Sequence, residues 1–211
     1  MSKFPALSPR RYSVKNIKLI PKTFRPLLLV SAITIVPVQV TLSAPLTYTD
    51  VAPILLGRCA MCHMPNGIMG SPPENYRLDS YSETISTIER ARVVPGNALA
   101  SELYLRIKGH ARPRMPFNGP PYLSDMEINK VAQWINDGAR NADGVVAPDI
   151  TGARIRIHGT LNKRWALNNL NLQVNSGTRI KKKVGTGSYV RVRGRIGAKA
   201  EVIVERIKRK D

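Results

Sequence analysis

Apolar side chains recur with a helical period in the first part of this chain and with an alternating period from Pro148 onward, and that change limits what it can fold into more than any other feature. Before the change, Val51, Ile54 and Leu55 form a stripe on a short predicted helix running from Asp50 to about Arg58, with Thr49 as the expected N-cap and Pro53 in the first turn. Weaker helical patterns cover Ser82–Glu89 and Leu99–Ile107, the second with Ala100, Leu103, Tyr104 and Ile107 on one face. The clearest helix comes last. Ser124 and Glu127 make an S-x-x-E capping box, Ile128, Val131, Ala132 and Ile135 share a face, and Gly138 stands where the helix should stop. After the change, Ile155 and Ile157, then Leu170, Leu172 and Val174, then Val190 and Val192 alternate with polar residues, and glycines such as Gly159, Gly177, Gly187 and Gly194 punctuate them. The expected fold is multidomain: an all-α domain over 44–144, a boundary within 141–148, and a small all-β antiparallel barrel of five or six short strands over 148–211.

The chain has 211 residues and a formal charge of +19, unevenly placed. Residues 1–43 hold seven Lys/Arg and no acid, 44–144 hold ten of each, and 145–211 hold sixteen Lys/Arg against four acids, so the basicity belongs to the two ends. Arg10, Arg11, Lys15, Lys18, Lys22 and Arg25 precede an apolar run from Leu27 to Val36, and Ser43 and Ala44 follow it. That order is the order of an export signal, with a retained membrane anchor as the alternative for 1–43. The expected location is therefore periplasmic.

Only two cysteines are present, so a disulfide framework is excluded. They stand in Cys59-Ala60-Met61-Cys62-His63, which matches the C-x-x-C-H pattern of covalent haem attachment. Thiols at i and i+3 on one helical turn can both add to vinyl groups on one porphyrin edge, and the next residue brings its imidazole to the iron. A thioredoxin-like dithiol expects a βαβ setting, whereas this pentapeptide ends a short helix and opens a loop of Pro65, Gly67, Gly70, Pro72 and Pro73. A zinc site needs two further ligands, and only His110 and His158 remain outside the motif among histidines. The cofactor expected is one haem c on Cys59 and Cys62, with His63 as the proximal iron ligand. For the sixth position, Met115 in Arg114-Met115-Pro116-Phe117 lies far enough along the chain to reach the distal face, and His110 is its competitor. Met115 is preferred because its loop setting between Arg and Pro is hard to explain as packing.

Residues 46–139 resemble the planctomycete-type mono-haem cytochrome c domains. The matching pieces are Asp50-Val51-Ala52-Pro53-Ile54-Leu55 before Cys59, Arg77-Leu78-Asp79-Ser80, Val93-Val94-Pro95-Gly96 followed by Ser101-Glu102-Leu103, Met115-Pro116, and Trp134-Ile135 with Gly138-Ala139. The resemblance implies Met115 as the distal ligand and a first and last helix crossing beside the haem. Phe117 departs from it, standing where such domains often carry a second proline.

The C-terminal part loosely resembles small bacterial OB-like domains. Lys181, Lys182, Lys183, Arg154, Arg156, Arg191, Arg193 and Arg195 make it strongly basic. Nucleic acid is disfavoured as a partner, because Trp165 and Tyr189 are the only aromatic residues there and the chain is expected to be exported. An acidic redox protein, or an anionic membrane surface, is the expected partner. Together these features point to a one-electron carrier rather than an enzyme. The alternatives are a haem-containing subunit or sensor of a larger membrane or periplasmic complex, and a haem enzyme with a labile sixth ligand.

Overall fold

Thr47, not Thr49, opens the first helix of the computed structural model, which describes residues 44–210 except 182. The Asp50 carboxylate accepts from the Thr47 amide at 2.8 Å and from its hydroxyl at 3.0 Å, satisfying donors that the first turn leaves free. Helix α1 (Tyr48–Leu55) buries Val51, Ile54 and Leu55 and continues as one wide π turn over Leu56–Ala60. Helix α2 is a single turn (Tyr81–Thr84), shorter than the pattern over Ser82–Glu89 suggested, and its N-cap is Ser80. Helix α3 (Glu102–Lys108) ends on Gly109, whose φ of 84° suits a residue without a Cβ. Helix α4 (Asp125–Asn136) has the predicted Ser124/Glu127 capping box, and Gly138 lies just beyond it at φ 96°.

The strands are β1 (Arg154–Lys163), β2 (Ala166–Leu167), β3 (Leu170–Gln173), β4 (Arg179–Lys181), β5 (Tyr189–Ile196) and β6 (Val202–Arg209). Their order in the sheet is β3-β2-β1-β5-β6-β4. β1 pairs antiparallel with β5, and β5 with β6, but β3 and β4 both run parallel to β6. The alternation that predicted strands is realised: Ile155, Ile157, Val190 and Val192 point into the core while the arginines between them point away.

The expected fold class is overturned in two respects. Among the described residues there is no separate all-α domain, and the strands form a mixed sheet rather than a closed antiparallel barrel. β3 meets β6 over two residue pairs only, Leu172 with Val202 and Gln173 with Ile203. The physical reason lies in how little each part can bury alone. The helices are one to three turns long, and the core beneath the sheet is completed by Ala91, Val94, Ala100, Leu105 and Ala111 from the helical part. Ala91 donates to Arg154 O at 2.8 Å, so the chain before α3 lies along the start of β1. Asn97 reaches Ala200 O at 2.9 Å, and the Tyr189 hydroxyl accepts from the Arg112 amide at 2.7 Å. A second core gathers Leu55, Leu103, Ile107, Ile128, Val131, Trp134 and Ile135. α3 thus feeds both cores, Leu105 turning one way and Leu103 and Ile107 the other.

The signal or anchor expected over 1–43 lies outside the described residues. Among those described, no helix is long and apolar enough to cross a membrane.

Candidate functional site

The π turn that follows α1 carries Cys59, and Cys62 lies two residues past its end. The amides of Cys62 and His63 both donate to Cys59 O, at 3.1 and 3.0 Å, so the two thiols and the imidazole leave one tight turn. The loop beyond closes back on that turn: the Ile68 amide donates to Met61 O at 3.0 Å. A Cβ at Gly67 would stand 2.8 Å from Cys62 O, which explains a glycine there.

His63 is fixed from both sides. Its carbonyl accepts from the Leu78 amide at 2.7 Å, and its Nδ1 lies 2.9 Å from the Tyr76 carbonyl. A carbonyl can only accept, so Nδ1 carries the proton in this contact and Nε2 keeps a free lone pair. This is the arrangement by which a protein orients an imidazole toward a metal. The Tyr76 ring packs edge-on against the imidazole with centroids 5.9 Å apart, and the Arg92 guanidinium lies over the Tyr76 ring at 4.6 Å.

Both thiols and His63 line a cavity of about 550 Å³. Met115 lines it too, although the chain reaches Met115 only after the whole of α3. Its loop is tied to the end of that helix: the Arg106 carbonyl accepts from the amides of Gly109 and Met115, each at 3.1 Å, and the Arg106 side chain donates to Pro113 O at 3.1 Å. Leu78, Leu103, Ile107, Pro116 and Phe117 supply apolar wall. Met61 and Met69 also reach the wall but are largely exposed, at 46% and 65%, whereas Met115 is half-buried against the core that contains Cys59. His110, the rival to Met115, is not among the lining residues; its ring faces Tyr104 at 6.5 Å.

Burial pushes the Cys59 thiol up to about 11, so at neutral pH it is not the low-pKa thiolate that a catalytic dithiol requires. Among the described residues there is no group of three His, Cys, Asp or Glu side chains that could hold a bare metal ion. The donor set, two thiols three residues apart with one oriented imidazole and a thioether lining the same cavity, fits haem. The cavity volume falls in the range of about 300–1,000 Å³ usual for cofactor sites.

Hydrophobic periodicity gives no sign of the charged wall of this cavity. Glu74 accepts from Arg90 at 2.8 Å and Arg92 at 2.9 Å, and pairs with Arg156 of β1; Glu102 pairs with Arg90 and, at 3.0 Å, with Arg106. Burial works to raise the Glu74 carboxyl, yet Arg90 and Arg156 overcome it and hold it down to about 2. All six side chains line the cavity, four guanidiniums to two carboxylates, so this wall carries surplus positive charge. Ion pairs between residues so far apart in the chain leave no periodic signal. The only local hint was Glu102 four residues before Arg106 on α3.

His158 also lines the cavity, from β1, where it stacks on Tyr189 at 6.5 Å with its Nδ1 lacking a hydrogen-bond partner. Burial, the main cause, lowers its pKa to about 4, helped by Arg106, Arg191 and Arg90 and opposed by Glu102. The folded value lies below the unfolded one of 6.5, so this histidine contributes stability in full above 6.5 and loses it as the pH falls through about 4. The urea midpoint of the full chain is expected to drop between pH 6.5 and 4, and to drop less in His158→Gln; equal slopes would place the titration elsewhere. Glu74 acts in a lower window, from 4.5 down to about 2.

Trp134 takes no part in the cavity wall. It is fully buried, and its indole donates to Arg140 O at 2.9 Å. No protein-family model, curated protein or solved structure matches this chain.

Proposed function

We propose that this protein is a c-type haem electron carrier acting outside the cytoplasm, with one haem held covalently by Cys59 and Cys62. His63 and Met115 would hold its iron in this reading. One observation carries it: Cys59, Cys62, His63 and Met115 line the same cavity, though α2, α3 and the loops around them separate the pentapeptide from Met115.

Haem supplies one-electron redox chemistry, and the protein's part is to set ligands, burial and charge around it. The Tyr76 carbonyl holds the His63 proton on Nδ1 and so keeps Nε2 available as a ligand. The α3 carbonyl at Arg106 positions the Met115 loop, and a thioether ligand favours the reduced state and a high potential. Leu78, Leu103 and Ile107, all buried, give the cavity an apolar lining. The surplus of guanidinium on the Glu74/Glu102 wall suits a cofactor that bears carboxylates.

The test is production of the full chain in a bacterial host equipped for haem attachment. Mass spectrometry is expected to find one haem mass on the peptide containing Cys59 and Cys62, with a low-spin absorption spectrum in the intact protein. A chain exported without added mass would overturn the proposal.

A further inference from the structure

Strand pairing assembles the basic residues of the sheet into two rows. Arg156 stands opposite Arg193, Arg193 opposite Arg206, and Arg206 opposite Arg179. In the next row His158 is opposite Arg191, Arg191 opposite Lys208, and Lys208 opposite Lys181. Partners on neighbouring strands are about 4.8 Å apart, so each row is roughly 14 Å long. Both rows lie on the side of β5 and β6 away from Val190, Val192, Val204 and Ile207, which fill the core.

Like charges directly opposite one another in a sheet are destabilising, and this face repeats the arrangement strand after strand. Carboxylates reach it at its margins, Glu74 on Arg156 and Glu205 on Arg195 at 3.1 Å. Among the described residues Arg193, Arg206, Arg179, Arg191, Lys208 and Lys181 make no ion pair. The Nε atoms of Arg156 and Arg193 are buried without a hydrogen-bond acceptor. Burial, then Arg191, Arg156 and Arg206, depress the Arg193 guanidinium, a sign of crowding that an incoming anion would relieve.

We infer that the two cation rows on β5, β6 and β4 form the docking surface for the acidic face of a redox protein. The inference rests on the electron-carrier reading and names where its partner binds. Two observations favour a protein carboxylate cluster. Arg156 and His158 belong both to the rows and to the cavity wall, so a partner seated there lies beside the cavity, as electron transfer requires. Aromatic platforms for nucleic-acid bases are missing from the rows: Tyr189 is engaged by His158 and Arg112, and Trp165 packs on the sheet core.

The experiment uses the full haem-loaded chain, the Arg193→Glu/Arg206→Glu variant, and Arg179→Glu/Lys181→Glu on the exposed outer strand, which leaves the core untouched. Stopped-flow oxidation by an acidic blue-copper protein is expected to slow on the order of tenfold in each variant at low salt, with a flatter dependence on ionic strength. Haem content and reduction potential should not change. Unaltered rates and salt slopes in both variants would overturn the assignment. So would loss of sedimentation with phosphatidylglycerol vesicles while oxidation stays fast, since the face would then belong to a membrane. If the purified chain carries no haem, the electron-carrier reading fails by itself, and calorimetric binding of the copper protein to the same variants still decides the surface.

Discussion

Replacing Cys59 and Cys62 together by alanine is expected to abolish covalent haem entirely. In the proposed carrier each thiol would make one attachment, and the chain has no other cysteine to substitute. The single Cys59→Ala variant should keep a weaker, one-armed link through Cys62. The two differ in position: Cys59 is buried within the helical core, whereas Cys62 stands partly open at the cavity. Acid–acetone extraction followed by mass spectrometry checks this, because haem that is merely ligated by His63 leaves with the solvent. Covalent haem surviving in the double variant would mean that another residue carries the attachment. The loss should extend to stability, since a ligand bound only by the folded state stabilises it by mass action.

Met115→Ala is expected to lower the reduction potential by on the order of 0.1 V and to open the iron to carbon monoxide in the reduced protein. Met115 is half-buried at the edge of its core, and its loop is held by backbone bonds to Arg106, so the variant should still fold. His110→Ala is the matched control. His110 lies on Tyr104 away from the cavity wall, and the potential should not move. A redox titration of the two variants side by side separates the rival ligands. An unchanged potential in Met115→Ala together with a fall in His110→Ala would reverse the assignment.

Local features were legible in the sequence where neighbouring residues create them. The Ser124/Glu127 box and Gly138 marked both ends of α4 because caps act within one turn. The turn bearing Cys59, Cys62 and His63 was legible for the same reason. Thr49 was a wrong choice of cap because both Thr47 and Thr49 precede the apolar stripe, and the outcome is decided by which threonine finds a carboxylate three residues on, namely Asp50 for Thr47. Leu105 lay outside the predicted apolar face of α3 because a helix that serves two cores has two faces, and a single stripe cannot encode the second. The division into an all-α domain and a separate barrel failed for a related reason. A change of period marks where secondary structure changes, not where packing stops.

What the sequence by itself determined is the spacing of two thiols and an imidazole in the pentapeptide and the alternation that turns arginines to one side of the strands and valines and isoleucines to the other. Those are set by spacing along the chain, and spacing is what a helical turn or a pleat converts directly into direction. Only the tertiary structure decided that Met115 and not His110 joins Cys59, Cys62 and His63, and that Arg156 and His158 of β1 belong to the same cavity. It also decided that Arg193 meets Arg206 across two strands. Such neighbours come from burying short helices on a sheet that cannot cover itself, and that requirement is felt by the folded chain as a whole rather than by any stretch of it.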